Sequence, residues 1–162
     1  MRVVAAPDKF RGTVSATEAA SAIARAVASA GGTTLEVPMA DGGEGLLEVL
    51  GGPDRTTQVT GPLGSPVKAG WRLSGGTAVV EMARASGLAL AGGAEGNRPL
   101  DATTTGVGEL LRHAVELGAQ RIIVGMGGSA TTDGGLGALD AMGSPSRYRG
   151  VELLAACDVR TR

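Results

Sequence analysis

Four stretches of the chain place charged side chains beside flexible backbone: Pro7-Asp-Lys-Phe-Arg-Gly12, Met39-Ala-Asp-Gly-Gly-Glu-Gly45, Ala83-Arg-Ala-Ser-Gly87 and Met126-Gly-Gly-Ser-Ala-Thr-Thr-Asp-Gly-Gly135. The second and fourth pair a carboxylate with consecutive glycines. Glycine lets backbone amides close around an anion. A carboxylate in such a cradle would repel phosphate unless a metal ion sits between them or the carboxylate acts as a base. Phosphoryl transfer needs both: magnesium on the phosphates and an Asp at the acceptor hydroxyl. Lys9 and Arg11 supply positive charge for an anionic substrate or for the group in transit.

Each feature also has a plainer reading. Asp41-Gly42-Gly43 is ordinary turn chemistry as well as a candidate site. Asp133, in a loop of hydroxyls and glycines, leans towards function. Lys9 and Arg11, taken singly, read as solvated surface residues. Glu81 ends an apolar strand, so its carboxylate needs either a partner or a function. His113 falls on a polar stripe with Glu109, Arg112 and Glu116, and Cys157 reads as a small core residue. Thr103-Thr-Thr105 fits a helix cap, although hydroxyls at such a place also face phosphate. No G-x-x-x-x-G-K-[ST] loop is present. Gly125-Met-Gly127-Gly-Ser-Ala130 fits a relaxed dinucleotide fingerprint only weakly, because the helix after it starts too late.

The loops need elements to hold them. Arg2–Ala6 and Leu35–Pro38 read as strands, with a helix between them that opens on the capping box Ser15-Ala-Thr-Glu18. That helix turns Ala16, Ala19, Ala20, Ile23, Val27 and Ala30 to one face, and Gly31-Gly32 ends it. Gly45–Leu50 is short and helical. Thr56–Thr60, Val67–Leu73 and Thr77–Met82 form a strand meander. Ala91–Arg98 reads as a loop. A helix over 106–117, capped by Gly118, leads to an apolar strand Arg121–Gly125 and a helix Leu136–Met142. A linker over 143–150 precedes a last strand within Val151–Val159. Strand and helix alternation implies an α/β fold with a parallel sheet, whose loops meet at the carboxyl ends of its strands.

Composition narrows the function. The net charge of −1 gives no electrostatic case for nucleic acid or an anionic membrane. One cysteine rules out an internal disulfide and a multi-cysteine zinc site. The apolar run at the N-terminus is too short for a signal segment and no stretch reaches membrane-spanning length, so the cytoplasm is expected. Aromatics are only 2% of residues, which predicts a core of Ala, Val, Leu, Ile and Met.

Together the motifs resemble those of bacterial glycerate kinases of type 1. The matching segments are Ala6–Gly12, Pro38–Gly45, Val59–Gly64, Glu81–Leu88, Asn97–Leu100, Thr103–Leu110, Ile122–Gly135 and Ala156–Val159, in the family's order and over nearly the whole chain. The resemblance implies phosphoryl transfer from ATP to D-glycerate with Mg²⁺, giving 2-phosphoglycerate. It implies a Rossmann-like parallel sheet plus part of a second α/β domain with the meander, divided at 1–55, 56–143 and 144–162. It places Asp41, Gly42, Gly43 and Glu44 in one site loop and Gly127, Gly128, Ser129 and Asp133 in another. Asp8 and Arg11 fall in the first loop and Asp158 in the last motif. The expected roles are Asp41 or Asp133 as base or metal ligand, with Glu44 beside Asp41 at the metal. Gly42, Gly43 and Gly127–Ser129 are expected on phosphate, and Arg11 on the glycerate carboxylate or a phosphate. Two positions depart from the family: Arg11 where many members have Lys, and Thr105 at an often aromatic position. Members are also well over twice this long. A segment after Gly143 and the family's C-terminal half have no counterpart here, so a non-catalytic fragment, or association with a complementary chain, is the alternative expectation.

Overall fold

The computed structural model describes residues 1–10 and 12–158. Seven strands and six α-helices lie among these residues. They are β1 (Arg2–Ala5), α1 (Ala16–Ser29), β2 (Thr33–Glu36), α2 (Leu46–Val49), β3 (Arg55–Thr60), β4 (Pro66–Ser74), β5 (Thr77–Glu81), α3 (Ala83–Ser86), α4 (Gly93–Gly96), α5 (Thr105–Glu116), β6 (Arg121–Gly125), α6 (Leu136–Met142) and β7 (Glu152–Ala156). β1 and β2 pair in parallel, Arg2 opposite Thr33. The other five strands form a mixed sheet in sequence order. Its β3–β4–β5 part is antiparallel, while β5, β6 and β7 run parallel. The α/β class and the meander agree with the sequence reading.

The capping box forms as read: Ser15 Oγ accepts from the Glu18 amide at 3.2 Å, and Glu18 Oε2 accepts from the Ser15 amide at 2.9 Å. The reciprocal bonds satisfy two of the orphan donors at the start of α1. The predicted apolar face is narrower than expected. Ala16, Ala19, Ala20 and Val27 are buried, but Ile23 is partly open, because α1 lies on a sheet of only two strands.

Strand alternation divides the central sheet's side chains between two faces. Ala78, Val80, Ile122 and Val124 point to the side covered by α5, where they meet Val107, Leu110 and Leu111. Val79 and Ile123 point to the other side, against Leu46 and Leu47 of α2. The core is not purely aliphatic. Trp71 is fully buried at its centre and donates its indole N–H to Thr57 Oγ1 at 2.9 Å. The strand pattern of β4 hid this, since Trp71 simply occupies an inward position. The 91–98 stretch, expected as a loop, holds the single turn α4 after a 3₁₀ turn at Ala89–Ala91. Positive φ at Gly92 and Gly93 joins the two, which a loop reading of a glycine cluster does not reveal.

Two helical glycines have a packing cause. A Cβ on Gly106 would overlap the Thr60 carbonyl oxygen, and one on Gly108 the Ala138 carbonyl oxygen. Helix propensity alone favours Ala at 108 by about 1 kcal/mol, but overpacking against fixed backbone costs about 1–3 kcal/mol. Overlap should therefore win. Gly108→Ala is expected to lower the urea midpoint, and a midpoint at or above the parent's would mean that α6 moves away without cost.

Candidate active site

Parallel pairing brings the loops after β1 and β2 to one end of the small sheet and those after β5, β6 and β7 to one end of the large sheet, and the two sets of loops meet. They enclose a cleft of about 560 Å³ lined by Lys9, Asp41–Glu44, Leu88, Met126–Ser129, Cys157 and Asp158.

The two glycine-acid loops are joined backbone to backbone. The Gly127 amide donates to Gly42 O at 3.1 Å, and the Met126 amide to Ala156 O at 3.1 Å. A Cβ on Gly127 would overlap Gly43 Cα, and a Cβ on Gly42, which sits at φ +90°, would overlap the Ala156 carbonyl. Glycine at 42 and 127 is thus dictated by close approach of loops as well as by any anion. The Gly128 carbonyl accepts from the Leu88 amide at 2.8 Å, which ties the β6 loop to the β5 loop. The amides of Gly128 and Ser129 donate to no protein acceptor among the described residues.

Asp41 is held from both sides. Its Oδ1 accepts from Lys9 Nζ and from the Gly43 amide, each at 2.8 Å. The Lys9 ammonium and that amide hold the carboxyl below the ordinary aspartate range. Lys9, which looks like a surface residue in the sequence, has a side chain only 16% exposed, with Asp8 a further 3.8 Å from its Nζ. Its signal was the loop's position at the carboxyl end of an apolar strand. Glu44 is exposed on the cleft wall. Arg11 lies outside the described residues.

Asp133 is not brought to Asp41 and does not line the cleft. Its Oδ2 accepts from the Thr104 amide and hydroxyl at 2.8 Å each and from the Gly137 amide at 3.2 Å, while Oδ1 takes the Gly135 amide at 3.0 Å. Burial pushes its pKa up, but these donors outweigh that and leave it lowered. Thr104 Oγ1 in turn accepts from the Ala138 amide at 2.8 Å, so the threonine run stitches α5 to α6. The capping expectation is met only in part: Thr104 stands at the N-cap of α5 but its hydroxyl makes no capping bond, and it is Thr103, one residue earlier, whose Oγ1 accepts from the Thr105 amide at 3.1 Å.

Glu81 has its partners. It is 3% exposed, and its Oε1 accepts from the amides of Gly45 at 2.9 Å and Leu47 at 2.8 Å. Its Oε2 pairs with Arg84 Nε at 2.7 Å. The carboxylate thereby fixes the Asp41 loop to the end of β5.

The structure is thus an α/β protein in which a lysine–aspartate pair and the amides of Gly128 and Ser129 line one cleft at the strand ends. Residues 3–156 match the model of the glycerate kinase family, and the chain belongs to that family of kinases. It is 42% identical to glycerate kinase of Bacillus subtilis, over 98% of this chain and 51% of that protein. It is 46% identical to glycerate 2-kinase of Escherichia coli, over 89% and 40%. A solved structure described as glycerate kinase 2 of Salmonella typhimurium LT2 superposes with a TM-score of 0.73 at 43% identity, over 88% of this chain and 41% of that one. The chain thus spans about half or less of the length of these relatives. The Bacillus alignment runs over 195 positions against 162 residues, so it opens gaps in this chain.

Proposed function

We propose that the cleft transfers a phosphoryl group from ATP to D-glycerate, giving 2-phosphoglycerate in the cytoplasm. The observation that carries this reading is the pairing of Lys9 with Asp41 in one cleft with the open amides of Gly128 and Ser129. The glycerate hydroxyl donates to Asp41. Its oxygen attacks the γ-phosphorus, the bond to the ADP oxygen breaks, and the hydroxyl proton passes to Asp41 and then to water. Lys9 offsets the negative charge beside Asp41, and the Gly128 and Ser129 amides hold phosphoryl oxygens as charge builds. Arg11 is assigned to the glycerate carboxylate or a phosphate.

Among the described residues no group of three His, Cys, Asp or Glu side chains could cage a metal, and Lys9 already occupies one Asp41 oxygen. That donor set suits magnesium arriving on the nucleotide, which needs only one or two protein carboxylates. Asp41 and Glu44 would hold it, and it would withdraw charge from the phosphates. Asp133 is assigned to bracing α5 against α6. Asp133→Asn puts an amide N–H₂ or a weaker acceptor before four donors, and is expected to cost about 2 kcal/mol. Its thermal midpoint should fall while turnover of the folded fraction stays near the parent's, and a large loss of turnover at unchanged stability would restore Asp133 as a base.

The purified chain, incubated with D-glycerate and Mg-ATP in a coupled ADP assay, tests the whole reading. A second reading has its own observation. Val4 (61%) and Leu35 (51%) on the small sheet and Leu153 (44%) and Leu154 (41%) on β7 are exposed, as expected of a non-catalytic fragment or of a chain that associates with a complementary one. No turnover alone, with turnover restored by the remaining length of a relative, would select it.

A further inference from the structure

Beside the cleft lies a second cavity of about 310 Å³, between the β1 loop, the start of α1 and α2. Its walls are largely apolar, from Phe10, Val14, Ala16, Met39 and Val49. The polar groups on it are mostly hydroxyls and carboxylates: Thr13, Thr17, Asp8 and Glu48. Lys9 and Glu44 line both spaces. Lys9 runs from one to the other. Its Cδ lies 4.0 Å from where a Cβ on Gly45 would sit, on the second cavity's wall, and its Nζ lies 3.4 Å from a Cβ on Gly43, on the cleft's wall.

We propose that the second cavity takes the nucleoside of ATP, so that the nucleotide lies along Lys9 with its phosphates in the cleft. This rests on the kinase reading above and adds to it a place for each half of the donor. An apolar pocket with a few polar groups suits a flat heterocycle and a ribose diol. Carboxylates accept hydrogen bonds from ribose hydroxyls but repel phosphate and glycerate, so the charged parts are directed past Lys9 to the Gly128 and Ser129 amides. The ammonium then sits where the neutral and anionic ends of the ligand join.

Calorimetric titrations with adenosine, ADP and tripolyphosphate, all in Mg²⁺, separate the two compartments. Two variants obstruct the cavity: Val49→Phe from within, and Thr17→Trp from the exposed first turn of α1, where folding is little at risk. Circular dichroism melting establishes that each is folded. Both should weaken adenosine and ADP at least ~10-fold while tripolyphosphate stays within ~2-fold of the parent. ADP binding at parent strength in a folded Thr17→Trp would place the nucleoside elsewhere and overturn the inference, leaving the kinase reading intact. Equal losses for ADP and tripolyphosphate would overturn the division into compartments. A parent chain that binds neither ADP nor tripolyphosphate would remove the kinase reading itself, and the inference with it.

Discussion

Replacing Asp41 by Asn is expected to cut ADP formation from D-glycerate and Mg-ATP by about 10²–10⁴-fold, the range that a positioned proton acceptor contributes. Asn keeps the size of the side chain and can still accept from the Gly43 amide or Lys9, so the loop should hold, and the thermal midpoint should fall only by what the Lys9–Asp41 charge pairing contributed. What it loses is the negative charge that receives the hydroxyl proton and, when magnesium is present, an anionic ligand. Sustained turnover at the parent rate would remove Asp41 from the chemistry. The pH profile supplies a second readout. Lys9 and the Gly43 amide depress the Asp41 pKa, so the carboxylate is already ionised across roughly pH 5–8 and contributes no inflection there. Stability follows the same sign. A depressed folded-state pKa stabilises the fold above the unfolded value of about 3.9, and this contribution is lost as pH falls through the folded value. An acid-limb inflection near neutrality that persists in Asp41→Asn would identify a different base.

Much of the architecture was legible because its signals are local. The strand Arg121–Gly125 and the helix Leu136–Met142 match their predicted limits, since an apolar run and a helical period are each bounded by glycine. The site was legible only as a set of loops. The glycines at 42 and 127 read as turn or anion-binding residues, and their contact with each other and with Ala156 depends on residues far apart in the chain. Lys9 was legible as positive charge for an anion but not as the partner of Asp41, for the same reason. A lysine in a turn becomes buried only when the β2 loop folds over it and offers Asp41. Asp133 shows the converse. Its loop has the composition of a site, yet its oxygens are spent on Thr104, Gly135 and Gly137, donors whose convergence no spacing in the sequence reveals.

Glu81 is where the largest loss of stability is expected. Its carboxylate satisfies two backbone amides of the Asp41 loop and one guanidinium at once, inside the protein. Glu81→Ala leaves the Gly45 and Leu47 amides without acceptors and Arg84 without its partner. Breaking a buried pair costs about 3–5 kcal/mol, and unsatisfied amides add to that. Arg84 is 34% exposed and can turn towards water, so the lower end, about 3 kcal/mol, is expected. Glu81→Gln should cost less, about 1–2 kcal/mol, because its carbonyl still accepts from both amides while its N–H₂ faces the Arg84 donor. Urea unfolding of the two variants tests the ranking. A double-mutant cycle with Arg84→Met separates the ion pair from the loop anchor. If the anchor matters for function, Glu81→Gln/Arg84→Met should recover stability without the repelling donors and keep the Asp41 loop in place, whereas Glu81→Ala should weaken ADP binding even where the chain is still fully folded. Equal ADP affinity in folded Glu81→Ala and parent would mean that Lys9 and Gly127 hold the loop without help from β5.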